Sequence, residues 1–421
     1  MSDETIRKQW PLLSEAGLLP GGGSAVRRGS QEDDLVCVRH GRLVIDEAAI
    51  RRNVRVLRER TKGELIAVVK ENGYGLGLHR LYSILAQTDV TWLGVTGNEE
   101  ALALRRFGWK KEILMMTPPL SREEALPLVR ANVVMALHSL PQAKMLAALH
   151  REIGLPVRVH VKIDTGMGRY GFAWDDVPSL KDFTKDISFE GVFSHLAGRP
   201  RRYAEQVEEQ ADRLSQAIES LEEMGIPAGM THLSNSRAVM TLGDLGFTAV
   251  RAGTALLGKT MPKGKLTEAV WLESEIADII RRKKGSTISY QSQDTLTRDS
   301  RLGLVRVGHG DGIGIGYTDG RDTLVHGILS AAKHGLRRKA DRITAKIGEK
   351  RVPVLGKCGV AHVLLDLTDV KAGVGDTVSF SINPLLSNPL ADRVVITGAP
   401  EVPDVDVPDV DVSERDKEEE R

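Results

Sequence analysis

Residues 65–77, LIAVVKENGYGLG, place a single lysine, Lys70, between an apolar run and a glycine-rich turn that contains Tyr74. An uninterrupted aliphatic run is typical of a strand that is buried on both faces. At the end of such a strand, burial would lower the pKa of an amine and make it nucleophilic near neutral pH. Alternatively, the lysine stem could extend along the surface so that its ammonium reaches water. This segment alone leaves both interpretations open.

Further ionisable or polar side chains follow later apolar runs of the chain. They are Lys162 with Asp164 and Arg169, then His195, Asn235 with Ser236, and Arg251 with Gly253 and Thr254. In a (β/α)8 barrel such groups would converge, because the active site lies at the C-terminal ends of the strands. The loops after strands seven and eight usually bind phosphate, which suits Ser236 and the backbone N–H groups of Gly253 and Thr254. A lysine near a phosphate site indicates pyridoxal 5′-phosphate held as a Schiff base.

The elements that would position these groups alternate along the chain. Apolar runs occur at 65–69, 92–96, 112–116, 133–137, 157–163, 189–196, 230–235 and 249–258, with charged, helix-periodic segments such as 98–108 and 203–225 between them. Eight such units over about 200 residues match a (β/α)8 barrel, which typically needs ~250 residues. A doubly wound open sheet is the structural alternative. The count of eight and the lack of a dinucleotide-binding glycine fingerprint favour the barrel.

Four segments are predicted along the chain. Residues 1–35 are expected to form a flexible extension, and residues 36–272 the α/β barrel, although their first strand is also compatible with the second domain. Residues 273–393 contain short, glycine-punctuated runs such as 286–290, 301–308, 322–330 and 375–382, which predict an all-β domain. Residues 394–421 are acidic and proline-spaced, so disorder is expected there.

The composition narrows the class of protein further. The formal net charge of +1 gives no global field that would attract nucleic acid or an anionic membrane. The two cysteines are too few for a disulfide framework and fit a reducing compartment. Neither a transmembrane run nor a secretory signal is present, so a cytoplasmic location is expected. No metal site is predicted.

Several motifs resemble those of the alanine racemase family, in the family's order. They are VVKENGYGLG, VKIDTGMGRYGF, LSNSRA, VRAGTALLG, ISY and VGHGDG, within residues 37–385. The resemblance implies a fold-type III pyridoxal 5′-phosphate enzyme with a barrel and a C-terminal β-domain. It further implies a homodimer in which each active site is completed by the partner chain.

The resemblance also implies roles for individual residues. Lys70 would carry the cofactor and act as one base, and Tyr290 would be the second base, reaching the site from the partner subunit. The phosphate would be held by Tyr74, Ser236, Gly253 and Thr254, and Asn235 is a further candidate for binding the cofactor. Arg251, supported by His195, would face the pyridine nitrogen. Arg169 would contact the cofactor's phenolic oxygen and be oriented by Lys162, a lysine that is carbamylated in many family members.

These roles agree with the chemistry of racemisation. Inversion at Cα needs one base on each face, and both lysine and tyrosine must have their ordinary pKa values near 10 lowered for that work. Arg251 cannot give its proton to the pyridine nitrogen, so the ring stays neutral and is a weaker electron sink than a pyridinium. A short-lived carbanion then favours racemisation over transamination.

The sequence departs from the family pattern in the substrate-binding part of the second domain. The stretch 355–370 lacks the family's Met-Asp pair, His309 replaces a tyrosine, and a late phosphate-contacting tyrosine is missing. His309, Cys358 and Gly359 are therefore candidates for contacts with the substrate. We hypothesise that the substrate is not alanine, or that alanine is a poor substrate.

Two other functions fit parts of the pattern. One is an amino-acid decarboxylase of the same fold with Cys358 as proton donor, although such relatives place a glutamate at the pyridine nitrogen. The other is a non-catalytic pyridoxal-phosphate protein, although those relatives lack the β-domain. Structural roles are also open for His195 as a strand-end residue, for Lys162 in an ion pair with Asp164, and for Asn235 as a helix cap.

Overall fold

The computed structural model describes residues 40–198, 202–260, 265–289, 294–315 and 343–397. The predicted N-terminal extension, Tyr290, the predicted strand at 322–330 and most of the acidic tail lie outside these ranges.

The N-terminal part of the described chain alternates strands and helices. Its strands are β1 (Arg42–Asp46), β2 (Glu64–Val68), β3 (Trp92–Val95), β4 (Glu112–Met115), β5 (Val134–Leu137), β6 (Val157–Asp164), β7 (Phe172–Ala173), β8 (Ile187–Phe193), β9 (Met230–His232) and β10 (Ala249–Ala252). Its helices are α1 (Glu47–Arg58), α2 (Lys70–Tyr74), α3 (Leu78–Leu85), α4 (Asn98–Arg106), α5 (Arg122–Arg130), α6 (Leu140–Ile153), α7 (Tyr203–Glu223) and α8 (Ser236–Leu242).

Within the described residues, eight parallel strands close into a barrel in the order β2-β3-β4-β5-β6-β8-β9-β10. The ring closes where Arg251 of β10 pairs with Ile66 of β2. All eight strands coincide with the apolar runs seen in the sequence, so the (β/α)8 prediction is confirmed and the open-sheet alternative is wrong. The strands form because their aliphatic side chains are buried on both faces, as parallel sheets covered by helices require.

Alternate residues of the strands point into the barrel. Ile66, Leu114, Val134 and Ala249 form one interior cluster and are fully buried. By the same alternation, Arg158, His160, Lys162 and Asp164 of β6 follow one another along the interior face. The barrel interior thus contains an apolar cluster together with a polar row along β6 that leads to the C-terminal ends of the strands.

The helices begin and end where local capping chemistry allows. Asp46 accepts from the N–H of Ala49 to begin α1, and Ser139 accepts from the N–H of Gln142 to begin α6. Gly154 adopts a left-handed conformation that ends α6. These caps direct the chain back to the next strand and so keep the strand ends on one face.

The second part of the described chain is β-rich. Its strands are β11 (Val270–Arg282), β12 (Thr287–Ile288), β13 (Asp294–Thr295), β14 (Ser300–Val305), β15 (Thr344–Ile347), β16 (Lys350–Leu355), β17 (Val363–Asp366), β18 (Thr377–Phe380) and β19 (Asp392–Ile396). A large sheet has the order β14-β17-β16-β15-β18-β11-β1-β19, and β12 pairs with β13. The predicted all-β domain is confirmed as a class of structure.

The sheet shows how strands pair across the predicted boundaries, including the first strand, for which the second domain was the stated alternative. Strand β1 lies between β11 and β19, so the first strand of the chain is paired in the second sheet rather than in the barrel. Strand β11 begins at Val270 and crosses the predicted boundary at residue 272. Disorder was expected from residue 394 onward, but strand β19 extends to Ile396. It does so because β1 pairs with it in parallel from Arg42 to Asp46. None of the described helices is long and apolar enough to cross a bilayer.

Candidate active site

Lys70 follows the last residues of β2 and begins a turn with unusual backbone geometry. Glu71, Asn72, Gly73 and Tyr74 all have φ between 53° and 65°, so the turn is left-handed. Left-handed conformations cost roughly 1–2 kcal/mol for each residue other than glycine, so tertiary contacts must support the turn. The Asn72 side chain provides one such contact by accepting from the N–H of Leu78 at 2.8 Å.

The position of Lys70 at the end of β2 agrees with the sequence, and Lys70 is half-buried there in the single chain. The expectation of a desolvated amine stays a prediction. Strand β2 thus fixes the position from which the Lys70 side chain extends.

Tyr74 lies across the barrel seam from Lys70 and against Gly253. A Cβ added to Gly253 would overlap the Tyr74 hydroxyl and lie 2.6 Å from its Cζ atom. Only glycine leaves room for the phenol over the loop after β10. The left-handed turn and this loop thus form two walls of one cradle.

Ser236 lies at the centre of the cradle. Its hydroxyl oxygen accepts from the N–H groups of Gly253 and Ala255 at 3.0 and 3.2 Å. The hydroxyl hydrogen is left as a donor for a ligand. Asn235 accepts from the N–H groups of Arg237 and Ala238, so it caps α8 and acts on the site by positioning Ser236. The helix-cap role considered for Asn235 is therefore present, and its contact with the cofactor stays a prediction.

Thr254 is exposed beside the same loop, and its hydroxyl lies 2.7 Å from that of Thr260. The cradle therefore contains small hydroxyls, a phenol and backbone N–H groups, which are the donors that a phosphate needs.

Arg251 is buried with 4% of its surface exposed, and the described residues give it no carboxylate partner. Its Nη1 donates to His232 Nδ1 at 2.6 Å and to the His232 carbonyl, while its Nη2 donates to the carbonyls of Ser194 and Leu233. All hydrogen bonds described for this side chain leave from Nη1 or Nη2. The Nε–H is therefore the donor that remains for a ligand.

Burial lowers the pKa of Arg251 to about 9, so the guanidinium is still charged at neutral pH. A buried charge without a counter-ion is costly, which makes an electron-rich or anionic ligand the expected partner.

Two further nitrogen groups lie near Arg251. The Nδ1 atom of His195 lies 3.5 Å from Arg251 Nη2, and burial together with the charge of Arg251 lowers the pKa of His195 to about 3. Burial, then Arg251 and Arg169, lower the pKa of Lys162 to about 7. His195 is therefore neutral at pH 7, and Lys162 is divided between ammonium and amine.

The ion-pair alternative for Lys162 receives no support. The Asp164 carboxylate instead accepts from the backbone N–H groups of Gly166, Met167 and Gly168 at 2.9 to 3.1 Å and holds the loop that carries Arg169. Arg169 is exposed at the mouth of the barrel.

These groups fit pyridoxal 5′-phosphate. The cradle around Ser236 supplies donors for the phosphate, and Arg251 Nε–H supplies a donor for the ring nitrogen. Arg169, oriented by Lys162, would supply positive charge for the phenolic oxygen, and Lys70 would supply the amine that binds the aldehyde carbon. An anionic cofactor would compensate a cluster of cations that the described residues leave largely without carboxylates.

The predicted substrate-shell residues lie elsewhere in the chain, in one cavity of about 650 Å³ in the second sheet. His309, Cys358 and Gly359 line it together with Val360 and His362. Its walls contain no residue of the barrel. Within one chain, the predicted residues at the barrel mouth lie close together, and the predicted substrate-shell residues of the second domain lie together in this cavity. The cavity contains no barrel residue, so these two sets of residues do not meet in the described part of a single chain.

Ser289 also lines this cavity, and it precedes Tyr290, which lies outside the described residues. Two hydrogen bonds of 2.9 and 3.0 Å join the Ser289 hydroxyl to the backbone of Lys357. Burial raises the pKa of the Cys358 thiol to about 11, so the side chain stays protonated at neutral pH.

Sequence reasoning missed His232, His160 and Phe193. All three point into the barrel, and His232 contacts Arg251 directly. The signal was present in the strand alternation, because His160 precedes Lys162 by two residues and His232 precedes Ser234 by two.

Comparison with known proteins shows the family to which the chain is similar over both of its parts. The family models "Alanine racemase, N-terminal domain" and "Alanine racemase, C-terminal domain" match residues 45–261 and 269–394. "Alanine racemase 2" of Caldanaerobacter subterraneus subsp. tengcongensis is 28% identical over 336 residues, which cover 77% of this chain and 80% of the relative. The alanine racemase of Beutenbergia cavernae is 32% identical over 287 residues, which cover 65% of this chain and 75% of the relative.

Two solved structures show the shared fold. The alanine racemase of Streptomyces coelicolor A3(2) has a TM-score of 0.69 at 24% identity, covering 87% of this chain and 100% of that one. A histidine racemase from Leuconostoc mesenteroides subsp. sake has a TM-score of 0.65 at 20% identity, covering 86% and 99%.

The closed barrel, the second sheet and the cationic barrel mouth define a pyridoxal 5′-phosphate-dependent enzyme of the barrel type. More specifically, the chain belongs to the alanine racemase family. It is an isomerase that racemises amino acids.

Proposed function

We propose that the enzyme racemises its amino-acid substrate with two bases, Lys70 at the barrel mouth and Tyr290 from a second copy of the chain. The observation that carries the proposal is the buried Arg251, which is held by carbonyls and imidazole and contacts no carboxylate in the described residues. Since arginine keeps its proton, it donates a hydrogen bond to the ring nitrogen without protonating it. A carboxylate in that place would favour decarboxylation or transamination instead.

The two bases have different origins in the fold. Lys70 is fixed by the left-handed turn at the mouth of the barrel. Tyr290 follows Ser289, whose cavity has no barrel residue in its walls. A homodimer in which this cavity covers the barrel mouth of the other chain would place one base on each face of Cα.

Each chain residue then has a separate task. Lys70 removes or delivers the Cα proton on one face, and Tyr290 does so on the other. When bound, pyridoxal 5′-phosphate supplies an electron sink for the electrons that the departing proton leaves behind. Ser236 and Gly253 orient the phosphate, and the phenol of Tyr74 closes the cradle. The second-domain cavity excludes water from the reacting carbon.

We further propose that the substrate is an amino acid other than alanine, or that alanine is turned over poorly. The cavity that would meet the substrate contains His309, His362 and Val360 and lacks the family's Met-Asp pair. The fold does not decide the substrate, because it is shared with a protein named histidine racemase.

The test is a panel of L-amino acids in deuterated water. We expect deuterium at Cα and formation of the D-enantiomer, fastest for an amino acid other than alanine. Alanine as the fastest substrate by a wide margin would contradict the substrate proposal. Release of CO2 without Cα exchange would contradict the racemase proposal.

A further inference from the structure

A row of hydrogen-bonded side chains continues from Arg251 into the interior of the barrel. Arg251 Nη1 lies 2.6 Å from His232 Nδ1, and His232 Nε2 lies 2.9 Å from His160 Nδ1. Both histidines are fully buried. None of the tasks proposed above uses them.

The donors and acceptors of this row can be assigned without ambiguity. Arginine only donates, so His232 Nδ1 must accept and carry no proton. His232 is buried among cations, which keeps it neutral, so its proton is on Nε2 and is donated to His160 Nδ1. His160 is neutral for the same reasons and must then carry its own proton on Nε2. In every hydrogen bond of the row, the donor is therefore the residue nearer to Arg251.

The backbone is shaped to admit the last member of the row. Strand β8 contains one extra residue where Val159 pairs with Phe189 and His160 pairs with Gly191. A Cβ on Gly191 would lie 2.8 Å from both Cε1 and Nε2 of His160. A bulge and a missing side chain therefore leave space for this imidazole.

Aromatic rings fix the orientation of both imidazoles. Phe193 stacks on His232 with a centroid distance of 4.8 Å and an interplanar angle of 11°. Trp92 lies 5.6 Å from His160 between ring centroids. The Nε2 atom of His160 has no hydrogen-bond partner in the part of the chain that the structure describes. A buried unpaired N–H destabilises the fold, so packing stability alone does not account for an imidazole at this position.

We infer that His160 and His232 are positioning residues that hold the guanidinium of Arg251 with neutral acceptors and so leave its charge uncompensated for the ring nitrogen of the cofactor. A carboxylate in the place of His232 would hold Arg251 as firmly but would neutralise it. His160 strengthens the row by accepting from His232, which makes His232 Nδ1 a better acceptor. This inference rests on the proposed function, since it assigns the reaction specificity of Arg251 to the two histidines.

The first test uses the protein without cofactor and substrate. Side-chain nitrogen NMR of histidine-labelled apoprotein should show His160 and His232 as neutral rings with the proton on Nε2 across the neutral pH range. The His160→Gln variant lacks the His160 signals, so comparison with the wild type assigns those signals to His160. The same variant should shift the signals of His232. A doubly protonated His232, or one with the proton on Nδ1, would overturn the inference.

The second test compares reaction specificity in the holoenzyme. His160→Phe removes the acceptor that holds His232, so Arg251 is positioned less firmly at the ring nitrogen, and racemisation should fall relative to transamination roughly five- to tenfold, the size expected for one hydrogen bond. His160→Gln, which keeps an acceptor, should lie between His160→Phe and the wild type. Met230→Leu is the control, because it changes the packing beside His232 without removing a hydrogen bond.

The outcomes separate the two proposals. If His160→Phe and Met230→Leu shift the ratio equally, the histidines only pack and the inference is wrong. If the wild type racemises no amino acid while the NMR result holds, the proposed function fails and the hydrogen-bond row stands. If His160→Phe does not fold, the apoprotein spectra and His160→Gln still decide the question.

Discussion

The Nζ atom of Lys162 lies 4.5 Å from the centroid of the Phe193 ring. The guanidinium carbon of Arg251 lies 5.4 Å from the same centroid. One ring thus supports two buried cations and provides part of the stabilisation that a carboxylate would otherwise give. The proximity has a cost for Lys162, whose pKa falls to about 7 because of burial and the neighbouring positive charges.

The first prediction concerns the pH dependence of stability. The ordinary pKa of Lys162 is 10.5, and the value of about 7 applies to the folded chain. Between these values the unfolded chain holds more protons, so stability rises with pH in this window. Below about pH 7 the lysine is protonated in both the folded and the unfolded chain, so it does not change the free energy of unfolding with pH. For apoprotein in CO2-free buffer, we expect the free energy of unfolding to increase by about 2–3 kcal/mol between about pH 7 and pH 9.

Chemical denaturation of Lys162→Met at the same pH values is the matched measurement. The slope should largely disappear in this variant. His160 and His195 add little in this range, because both their folded pKa values of about 3 and their ordinary value of 6.5 lie below it. An unchanged slope in Lys162→Met would assign the pH dependence to other groups.

The second prediction is that Lys162 reacts with CO2. A carbamate forms from an unprotonated amine, and a pKa of about 7 provides one at neutral pH. The anionic product would lie beside Arg251 and Arg169. Protein in 13C-labelled bicarbonate should show a carbamate signal by NMR that is absent from Lys162→Met and retained in the exposed-site control Lys181→Met.

The third prediction is that Gly253→Ala weakens cofactor binding. The new Cβ would overlap the Tyr74 hydroxyl, so the phenol or the loop must move. We expect the dissociation constant of pyridoxal 5′-phosphate to rise about tenfold or more, equivalent to ~1.4 kcal/mol. Fluorescence titration of the apoprotein measures it.

Gly373→Ala is the control for this substitution. A Cβ at residue 373 meets no atom within 4 Å, and its backbone is not left-handed, so its affinity should equal that of the wild type. Wild-type affinity in Gly253→Ala would show that the cradle around Tyr74 does not bind the cofactor.

The fourth prediction tests the shared active site. Lys70→Ala and Tyr290→Phe, each alone, should lose racemisation. Differently tagged copies of the two variants can be co-expressed and the mixed dimer purified. One of its two sites then contains both bases, so it should recover about half of the wild-type activity per dimer.

The control is a mixed dimer of two differently tagged Lys70→Ala chains, which should recover nothing. If the Lys70→Ala/Tyr290→Phe dimer also stays inactive, Tyr290 does not act across the subunits.

Much of the fold was predictable from local pattern. The apolar runs that became β2 to β6 and β8 to β10 are buried on both faces, and burial of that kind selects parallel strands beneath helices. Lys70, Ser236 and Arg251 were also predictable as site candidates, because the active site of this fold lies at the C-terminal ends of the strands. The domain boundaries were less predictable, because β1 pairs with β11 and β19 across more than 220 residues.

The sequence by itself determined the class of fold, the amine at Lys70 and the arginine that replaces a carboxylate, because these depend on residue type and on alternation within single strands. Only the tertiary structure decided which groups meet. The bulge in β8 sets the register that brings His160 to His232, and barrel closure brings Tyr74 over Gly253. Such contacts join strands that are distant in the chain, and they depend on register and packing, which no local pattern specifies.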